Sequence, residues 1–329
     1  MKVMIIAEGG SVHDGSFGNA KKLCKVAKDC GADAIKFQIH IAEEETLFKA
    51  SNPIHFKEEK RFDYFKRTSF SLSQWKELKK HCQKLKIDFF VSVFSIEALK
   101  IVKKLKLKYI KIPSGELTNF PLLKEISKIK SKILLSTGMS NLKEINSAVK
   151  ILNKKNLVIM QCTSLYPTQN KQVGLNVLKY FRKKYKNYEI GFSDHTNSFA
   201  SAIASVTFGV NFIEKHLTFS KEMYGSDAKY AFEPKQFKKY CDEIRNISEV
   251  ISNPVNKNNL RKMIKTKKIY EKSVVTKKNI EKNEKFNIKN ITTKKPGTGI
   301  SAKYYFKILN KKSRSSIKKN SILKWNQII

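Results

Sequence analysis

The chain has 329 residues, of which 41% are hydrophobic and 29% are charged, so it carries enough apolar material for a full core. This composition excludes a disordered chain and a disulfide-stabilised mini-protein. No apolar run approaches the roughly 18 residues of a membrane-spanning helix, and the opening segment MKVMIIAEGG has no secretory cleavage pattern. We therefore expect a soluble, cytoplasmic protein with no membrane partner.

The formal net charge is +38, from 66 basic and 28 acidic residues. Taken alone, this charge would suggest a nucleic acid or another anionic surface as the partner. However, 60 of the basic residues are Lys and only six are Arg, the side chain best suited to bases and phosphates. We therefore predict no nucleic-acid partner and interpret most of the charge as a solvated Lys surface. Attraction of a small anionic substrate is the second interpretation.

Short β-rich runs alternate with amphipathic stretches along most of the chain. They predict strands at 3–9, 32–38, 88–94, 109–115, 132–138, 157–163, 189–194 and 212–218. Helical spacing of apolar residues predicts helices at 19–30, 73–85, 96–105, 141–152, 198–209 and 233–251. Eight strand–helix units in about 250 residues predict an α/β fold of the (β/α)8 TIM-barrel type. A doubly wound sheet is the alternative, but the first loop lacks its GxGxxG spacing.

The composition changes after residue 251. Residues 252–267 are polar and rich in Asn and Lys, which predicts a linker, and residues 268–329 contain short strand-like segments, which predict a small β-rich domain. The barrel domain would then span residues 1–251. Residues 251–329 contain 22 basic and three acidic side chains, a net charge of +19. Such a module fits either a basic lid over an anionic ligand or an RNA-binding appendage.

Polar side chains collect at the carboxyl ends of the predicted strands, where a TIM barrel builds its active site. Lys36 and Lys111 each interrupt an apolar strand, where a cation requires an anionic partner. Together with nearby hydroxyl groups they predict a cradle for a phosphate or a carboxylate. Internal pairing of these lysines with Glu8 or Glu116 is the compatible alternative. The hydroxyl groups at these strand ends belong to Ser92, Ser114, Ser136, Ser164 and Ser193.

His195 and His216 end two consecutive strands, so their imidazoles are predicted to converge on one divalent ion, Mn²⁺ or Mg²⁺. Glu116 lies just beyond the cradle and is the best candidate for acid–base chemistry, with an ion pair to Lys111 as the alternative. We expect Cys162 to be a core residue. The remaining histidines are expected to be local or structural: His13, His40, His55 and His81.

Nine segments occur in an order that resembles one enzyme family. They are IIAEGGSVHDGS, ADAIKFQ, YIKIPSGELTNFPLL, ILLSTGM, QCTSLYPT, GFSDHT, IEKHLT, GSDAKYAFEP and KKPGTGIS. The first eight resemble the N-acetylneuraminate (sialic acid) synthase family, which includes legionaminic and pseudaminic acid synthases. The ninth resembles the antifreeze-like (SAF) domain of that family. The resemblance covers nearly the whole chain.

The resemblance implies a TIM barrel joined to a small β-clip domain, in a domain-swapped homodimer in which each lid covers its partner's site. It implies a synthase that condenses phosphoenolpyruvate with an N-acylated amino sugar and water to a nine-carbon 2-keto acid and phosphate. The sugar would be N-acetylmannosamine, or a 2,4-diacetamido hexose in the legionaminic and pseudaminic alternatives. A divalent metal would polarise the sugar aldehyde.

Residue roles follow from the same resemblance. The matching motifs assign phosphoenolpyruvate to Lys36, Lys111, Ser114, Ser136 and Ser193, and Ser92 and Ser164 are further predicted substrate-binding residues. They assign the metal to His195 and His216, and the sugar to Glu8, Tyr166 and Asp227. Glu116 would transfer a proton as water adds to the oxocarbenium-like carbon.

Four positions depart from the family pattern. Ser92 stands where a Thr is common, which keeps the hydroxyl, and Ser164 stands where some members have Asn. Val12 stands where an Asn is common, and Lys295 of the lid stands where an Arg usually reaches the sugar in the partner's site. Lysine keeps the charge of arginine but loses its bidentate fork. Two readings from other classes remain open: a non-catalytic protein that binds RNA or polysaccharide through its basic C-terminal module, and a different barrel aldolase that acts on a phosphorylated sugar.

Overall fold

The computed structural model describes residues 3–54, 56–153 and 155–329. The chain divides into two compact units, residues 1–254 and 255–329. The structural role expected for His55 falls outside the described residues. No helix in the described ranges has the length and apolarity needed to cross a bilayer.

The first unit is a closed barrel of parallel strands in which each strand pairs with its neighbours in chain order and the last pairs with the first. The predicted TIM barrel is confirmed. Five strands end one to three residues earlier than predicted. β4 ends at Ile112 because Pro113 has no N–H for the ladder, and β5 ends at Ser136 because a turn follows Thr137. The strands are β1 (Met4–Gly10), β2 (Ala34–Ile39), β3 (Asp88–Val93), β4 (Tyr109–Ile112), β5 (Lys132–Ser136), β6 (Leu157–Cys162), β7 (Glu189–Asp194) and β8 (Phe212–His216).

Helices cover the outside of the barrel, and several begin at side chains that cap their free N–H groups. Ser16 and Ser95 each accept a bond from the backbone N–H three residues later, and Ser71 forms a capping box with Gln74. The helices of this unit are α1 (Phe17–Asp29), α2 (Ala42–Glu45), α3 (Arg61–Thr68), α4 (Leu72–Leu85), α5 (Ile96–Leu105), α6 (Phe120–Ile126), α7 (Leu142–Leu152), α8 (Leu175–Lys184), α9 (Ala200–Thr207) and α10 (Pro234–Ser252).

Alternation along the strands separates an apolar floor of the barrel from a polar layer above it. The floor is a buried apolar cluster that includes Phe90, Tyr109 and Met160. Gly191 makes room for Met160, since a Cβ at Gly191 would lie 2.9 Å from the Cγ of that methionine. Two residues further along the strands the inward side chains are polar, so the upper layer of the barrel is the place for chemistry.

A buried ion pair lies on the opposite face of β7 and β8. Asp194 and Lys215 are register partners on these strands, and their Oδ2 and Nζ atoms are 3.6 Å apart. Both side chains are almost completely buried. The Tyr240 hydroxyl of α10 donates to Asp194 Oδ2 at 3.1 Å, and the Ser201 hydroxyl of α9 donates to Asp194 Oδ1 at 3.2 Å. The pair therefore connects two strands with two covering helices.

The second unit has its own small core of buried apolar residues, including Phe286, Ile291 and Leu323. Its regular elements are the helix α11 (Ile264–Tyr270), the antiparallel strands β9 (Ser273–Thr276) and β10 (Ile291–Lys294), and the short helix α12 (Tyr305–Ile308). Isolated β-bridges make most of the other pairings. Two details differ from expectation: α11 begins inside the predicted linker, and 302–308 is helical where a strand was predicted.

Candidate active site

A cavity of about 620 Å³ opens at the carboxyl end of the barrel. Most of the polar residues singled out in the sequence line it. They are Glu8, Lys36, Ser92, Lys111, Ser114, Ser136, Ser164, Tyr166, Ser193, His195, His216 and Asp227. The structure therefore brings together twelve of the fourteen predicted site residues, as parallel strands with side chains of period two would.

Two lysine–carboxylate pairs form the centre of the cavity. The Lys111 ammonium donates to both carboxylate oxygens of Glu214, at 2.6 and 2.7 Å. The Lys36 ammonium contacts the Glu8 carboxylate and donates to the Ser92 hydroxyl at 2.7 Å. The Ser193 hydroxyl also donates to Glu214, at 3.0 Å. Both lysines are almost fully buried. Lys36 pairs with Glu8, as considered from the sequence, whereas the partner of Lys111 is Glu214 and not Glu116.

Burial and charge set the ionisation of the two carboxylates in opposite directions. Burial alone would raise the pKa of Glu214, but the ammonium groups of Lys111 and Lys36 outweigh it and lower the pKa to about 2. Burial dominates at Glu8 and raises its pKa to about 7, although Lys36 opposes this shift. Near neutral pH, Glu214 is thus a fixed anion while Glu8 can hold or release a proton.

Small residues shape the wall beside Lys111. The Ser114 hydroxyl accepts a hydrogen bond from the Gly138 backbone N–H at 3.0 Å. A Cβ at Gly138 would collide with the side chains of Ser114, Ser164 and Cys162. The absence of a side chain at Gly138 therefore lets the hydroxyl groups of Ser114 and Ser164 approach one point, which suits an anionic oxygen.

The two histidines converge as predicted, with ring centroids 5.6 Å apart. His195 Nδ1 lies 2.8 Å from the Thr163 carbonyl oxygen, so Nδ1 carries a proton. Burial lowers the pKa of His195, but Cys162 and the Thr163 carbonyl outweigh it and raise the pKa above its ordinary value. His216 Nδ1 is buried without a hydrogen-bond partner, and burial lowers the pKa of His216 to about 4. Neutral imidazoles with a free nitrogen are the form that binds a metal. Within the described ranges no three His, Cys, Asp or Glu side chains are grouped to hold one, so two histidines would need oxygen ligands from elsewhere.

Tyr166 and Asp227 lie on the side of the histidines. The Tyr166 hydroxyl is 3.4 Å from His195 Nε2, and its ring packs 4.4 Å from that imidazole. Asp227 accepts a hydrogen bond from the Ser11 N–H at 3.3 Å, and the left-handed Gly10 gives it room because a Cβ there would strike its carboxylate. Hydrogen-bonding groups for a polyhydroxylated ligand therefore share the cavity with the two lysines.

Two predicted site residues lie elsewhere. Glu116 belongs to a 3-10 turn beside Ser114 and is half-buried; it accepts a hydrogen bond from Asn119 Nδ2 at 2.7 Å and does not itself line the cavity. Burial raises the pKa of Glu116. Lys295 belongs to the C-terminal unit, is exposed, and holds its ammonium 5.2 Å from the centre of the Tyr270 ring.

Comparison with known proteins places this geometry in a family. Residues 23–256 match the model of the NeuB family, and residues 271–329 match the SAF domain. The chain belongs to the NeuB family. The match extends over most of the barrel unit, so the cavity described above is a NeuB-family cavity, and the resemblance seen in the sequence motifs is confirmed.

Curated relatives of this NeuB-family chain are named as acid synthases. An N,N'-diacetyllegionaminic acid synthase of Campylobacter jejuni is 37% identical over 98% of this chain and 99% of its own length. A pseudaminic acid synthase of the same species is 28% identical over 98% of this chain and 96% of its own length. A solved N-acetylneuraminic acid synthetase from Leptospira borgpetersenii, in complex with citrate, has a TM-score of 0.71 and 28% identity, covering 81% of this chain and 92% of that one.

The cavity of this NeuB-family chain also contains residues that sequence reasoning did not assign to the site. Gln38 donates to Glu8 at 3.3 Å, and His40, expected to be structural, is bonded to Gln38 and stacks 3.8 Å from Phe65. Cys162, expected in the core, is buried but lines the cavity with Sγ 3.8 Å from His195 Nδ1. Alternation along β2 and β6 was the signal available for Gln38 and Cys162. Arg61, the first residue of α3, also lines the cavity. No pattern in the irregular segment that leads into α3 could have identified it.

Proposed function

We propose that this protein is a sialic-acid-type synthase that condenses phosphoenolpyruvate with an N-acylated amino sugar and water, giving a nine-carbon 2-keto acid and phosphate. The observation that carries the proposal is the cavity itself. Two buried lysines and several hydroxyl groups line the same cavity as two histidines, Tyr166 and Asp227. This is the arrangement expected for a small phosphorylated acid beside a polyhydroxylated sugar.

For the sugar we favour a 2,4-diacetamido hexose of the legionaminic type. The proposal draws on the 37% identity with the legionaminic acid synthase, which extends over both units of this chain. N-acetylmannosamine, our first expectation from the sequence motifs, is the second candidate. A diacetamido sugar of the pseudaminic type is the third, since the pseudaminic acid synthase shares less identity with this chain.

Phosphoenolpyruvate would bind where the lysines are already ordered by their carboxylate partners. Its phosphate and carboxylate would accept hydrogen bonds from Lys36, Lys111 and the hydroxyl groups around Gly138. Because these donors are held in place before the substrate arrives, little ordering is left for the binding step. Glu8, with its raised pKa, lies against Lys36 and would orient the incoming sugar.

The reaction would form one carbon–carbon bond and, at carbon 2, one carbon–oxygen bond to water, while the carbon–oxygen bond to phosphate breaks. The aldehyde oxygen takes up a proton and the added water gives one up. Carbon 3 of phosphoenolpyruvate attacks the sugar aldehyde, water adds to carbon 2, and phosphate leaves with the bridging oxygen. Glu116 is the proposed proton-transfer group for the water step. Since Glu116 does not line the cavity, it would act through an intervening water.

His195 and His216 are the proposed ligands of a divalent ion, Mn²⁺ or Mg²⁺. The unpartnered Nδ1 of His216 and the closeness of the two imidazoles support this role. When bound, such an ion supplies Lewis-acid polarisation of a carbonyl oxygen. The domain-swapped homodimer and the contact of Lys295 with the sugar stay predictions of the family resemblance.

The test is a turnover assay with phosphoenolpyruvate, Mn²⁺ and a panel of sugars: the 2,4-diacetamido hexoses of both types, N-acetylmannosamine and its 6-phosphate. We expect release of phosphate and a product whose mass equals the sugar plus pyruvate. Lys111→Met should abolish the reaction. Lys108→Met is the matched control, because Lys108 is exposed just before β4 and should leave turnover unchanged. No product with any sugar would overturn the proposal.

A further inference from the structure

Arg61, the first residue of α3, is an unassigned cation of the cavity wall. It shares one face of the helix with Tyr64 and Phe65, which are three and four residues further on. Both neighbours hold this face against the site: Phe65 stacks on His40, and the Tyr64 hydroxyl is 3.5 Å from the Ser11 carbonyl oxygen. The helix therefore presents Arg61 to the cavity one turn from these contacts.

The guanidinium of Arg61 has no hydrogen-bond or ion-pair partner among the described residues that would account for its position in the cavity wall. Its Nε is buried and makes no hydrogen bond, and no carboxylate in the described part of the chain forms an ion pair with it. The contrast with the other arginine of the helix is sharp, since Arg67 is paired with both Glu59 and Asp14. Leaving a buried donor unsatisfied costs about 1–3 kcal/mol, so such a donor points to a ligand.

The backbone holds Arg61 in place. Its N–H donates to the Asn52 side-chain oxygen at 2.9 Å, while the Asn52 amide donates to the Glu59 carbonyl oxygen at 2.7 Å. Asn52 thus fastens the start of α3 to the preceding loop. The guanidinium is left for an acceptor in the cavity.

The surroundings indicate what kind of acceptor fits. The loop that Asn52 fastens to Arg61 contributes apolar side chains to the cavity lining, Pro53 and the buried Phe56 among them. Lys36 and Lys111 are engaged by carboxylates in the polar layer of the barrel, and among the described residues that line the cavity Arg61 is the cation without a carboxylate partner. A phosphate usually requires several donors, whereas one guanidinium beside an apolar wall suits a carbonyl oxygen next to a methyl group.

Building on the proposed function, we propose that Arg61 is a specificity-determining residue that donates to the carbonyl oxygen of a second acylamino group on the sugar. The apolar wall would receive the methyl of that group. A sugar with one acetamido group and a hydroxyl at the second position would leave both features unused. Arg61 would then favour a diacetamido sugar over N-acetylmannosamine.

The test compares wild type, Arg61→Met and Arg61→Lys on the same panel of sugars at saturating phosphoenolpyruvate. Loss of a hydrogen bond from a charged donor should lower kcat/KM for the diacetamido sugar by about 10- to 100-fold in Arg61→Met. The values for N-acetylmannosamine and the KM for phosphoenolpyruvate should change less than about threefold. Arg61→Lys should recover part of the loss. Arg67→Met, on the same helix, is the matched control and should leave the ratio between the two sugars unchanged.

Any other outcome of this comparison would contradict the role proposed for Arg61. Equal losses on both sugars, or no loss, would overturn the assignment of Arg61, as would a wild type that accepts only N-acetylmannosamine; the proposed function would survive all three. A selective loss with N-acetylmannosamine 6-phosphate would assign Arg61 to a phosphate instead. A wild type without turnover on any sugar would overturn both proposals.

Discussion

The Lys111–Glu214 contact shows how a single pair of residues combines stability with binding. Glu214 is ionised because Lys111 faces it at 2.6 Å in a buried site. An anionic substrate that reaches Lys111 therefore meets a lysine whose charge is already partly balanced. The site can keep two ammonium groups in a buried barrel only because each has its own carboxylate.

Removing Lys111 should consequently damage both folding and turnover, and the two effects can be separated. Lys111→Met leaves the Glu214 carboxylate buried without its partner, which should lower the free energy of unfolding by about 3–5 kcal/mol. Lys111→Met with Glu214→Gln should restore most of that stability but no phosphate release. Urea unfolding and a phosphate assay on both variants test this. A double variant as unstable as the single one would contradict the pairing argument.

His13 should make the fold sensitive to acid. It is buried against Phe70 with ring centroids 4.5 Å apart, its Nδ1 accepts from the Gly15 N–H at 3.1 Å, and burial lowers its pKa from 6.5 to about 4. The unfolded chain therefore binds a proton from pH 6.5 downwards while the folded chain does not. This contribution is intact above pH 6.5 and is lost as the pH falls towards 4.

The matched variant is His13→Asn, which can accept the same hydrogen bond without ionising. Between pH 7 and pH 4 the wild type should lose about 3 kcal/mol more unfolding free energy than the variant, since each pKa unit is worth about 1.4 kcal/mol. His216 titrates in both proteins and cancels from the difference. Parallel curves from urea unfolding across this pH range would show that His13 is not the acid-sensitive group.

Most of the site could be predicted residue by residue because strand alternation is visible in a sequence. Lys36 and Lys111 stand out as charges inside apolar strands, and both line the cavity. Arg61 could not be found in this way, because the segment before α3 has no period that tells which side chains turn inward. Gly138 was equally hidden, since its contribution is the space that it leaves.

At the scale of elements, the buried ion pair of Asp194 and Lys215 holds the ends of β7 and β8 together, next to the two histidines of the cavity. Each residue is followed in sequence by a cavity-lining histidine. The pair is buried on one face of these strands, while its sequence neighbours Ser193 and Glu214 point to the other. Lys215 also lies 4.3 Å from the centre of the Phe232 ring, which adds a cation–π contact.

Variants of this network should fall in a fixed order of stability. Lys215→Met leaves Asp194 buried without its cation and should lower the unfolding free energy by about 3–5 kcal/mol. Tyr240→Phe keeps the ring but removes one of the several hydrogen bonds to Asp194, so a loss of about 1–3 kcal/mol is expected. Urea unfolding gives both values. If Tyr240→Phe were the more damaging, the ion pair would not be what holds these elements together.

Elements with a strong period were predicted closely, and the others were not. The predicted helix at 96–105 coincides with α5, where four apolar residues form one buried face. In the C-terminal unit the many exposed lysines and asparagines obscure the alternation of apolar and polar residues. Residues 303–308, predicted as a strand, form a helical turn. Short bridges in a small domain depend on tertiary contacts that propensity does not report.

At the scale of the whole molecule, the charge of +38 is the dominant feature of the surface. The charges that face the cavity are mostly balanced by carboxylates, so the excess is a property of the exterior. An exterior of this kind attracts small anions over distances of about a Debye length, which is roughly 8 Å at physiological salt. Its effect should therefore be on the arrival of substrate rather than on the chemical step.

This division predicts the salt dependence of the proposed reaction. Between about 20 and 300 mM NaCl, the KM for phosphoenolpyruvate should rise about 3- to 10-fold while kcat stays constant. The KM for the neutral sugar should not change, and it serves as the internal control. A parallel rise for both substrates would show that salt acts on the site itself.

The thiols offer a consequence of a different kind. All five cysteines are free and buried, and Cys162 is the one that lines the cavity. A small alkylating reagent that diffuses into the barrel would meet Cys162 first, while Cys24, Cys30, Cys82 and Cys241 become reachable when the fold opens. The rate of alkylation of Cys162 should therefore report whether the cavity is occupied by a ligand. The rate of alkylation of the other four thiols should report how often the fold opens.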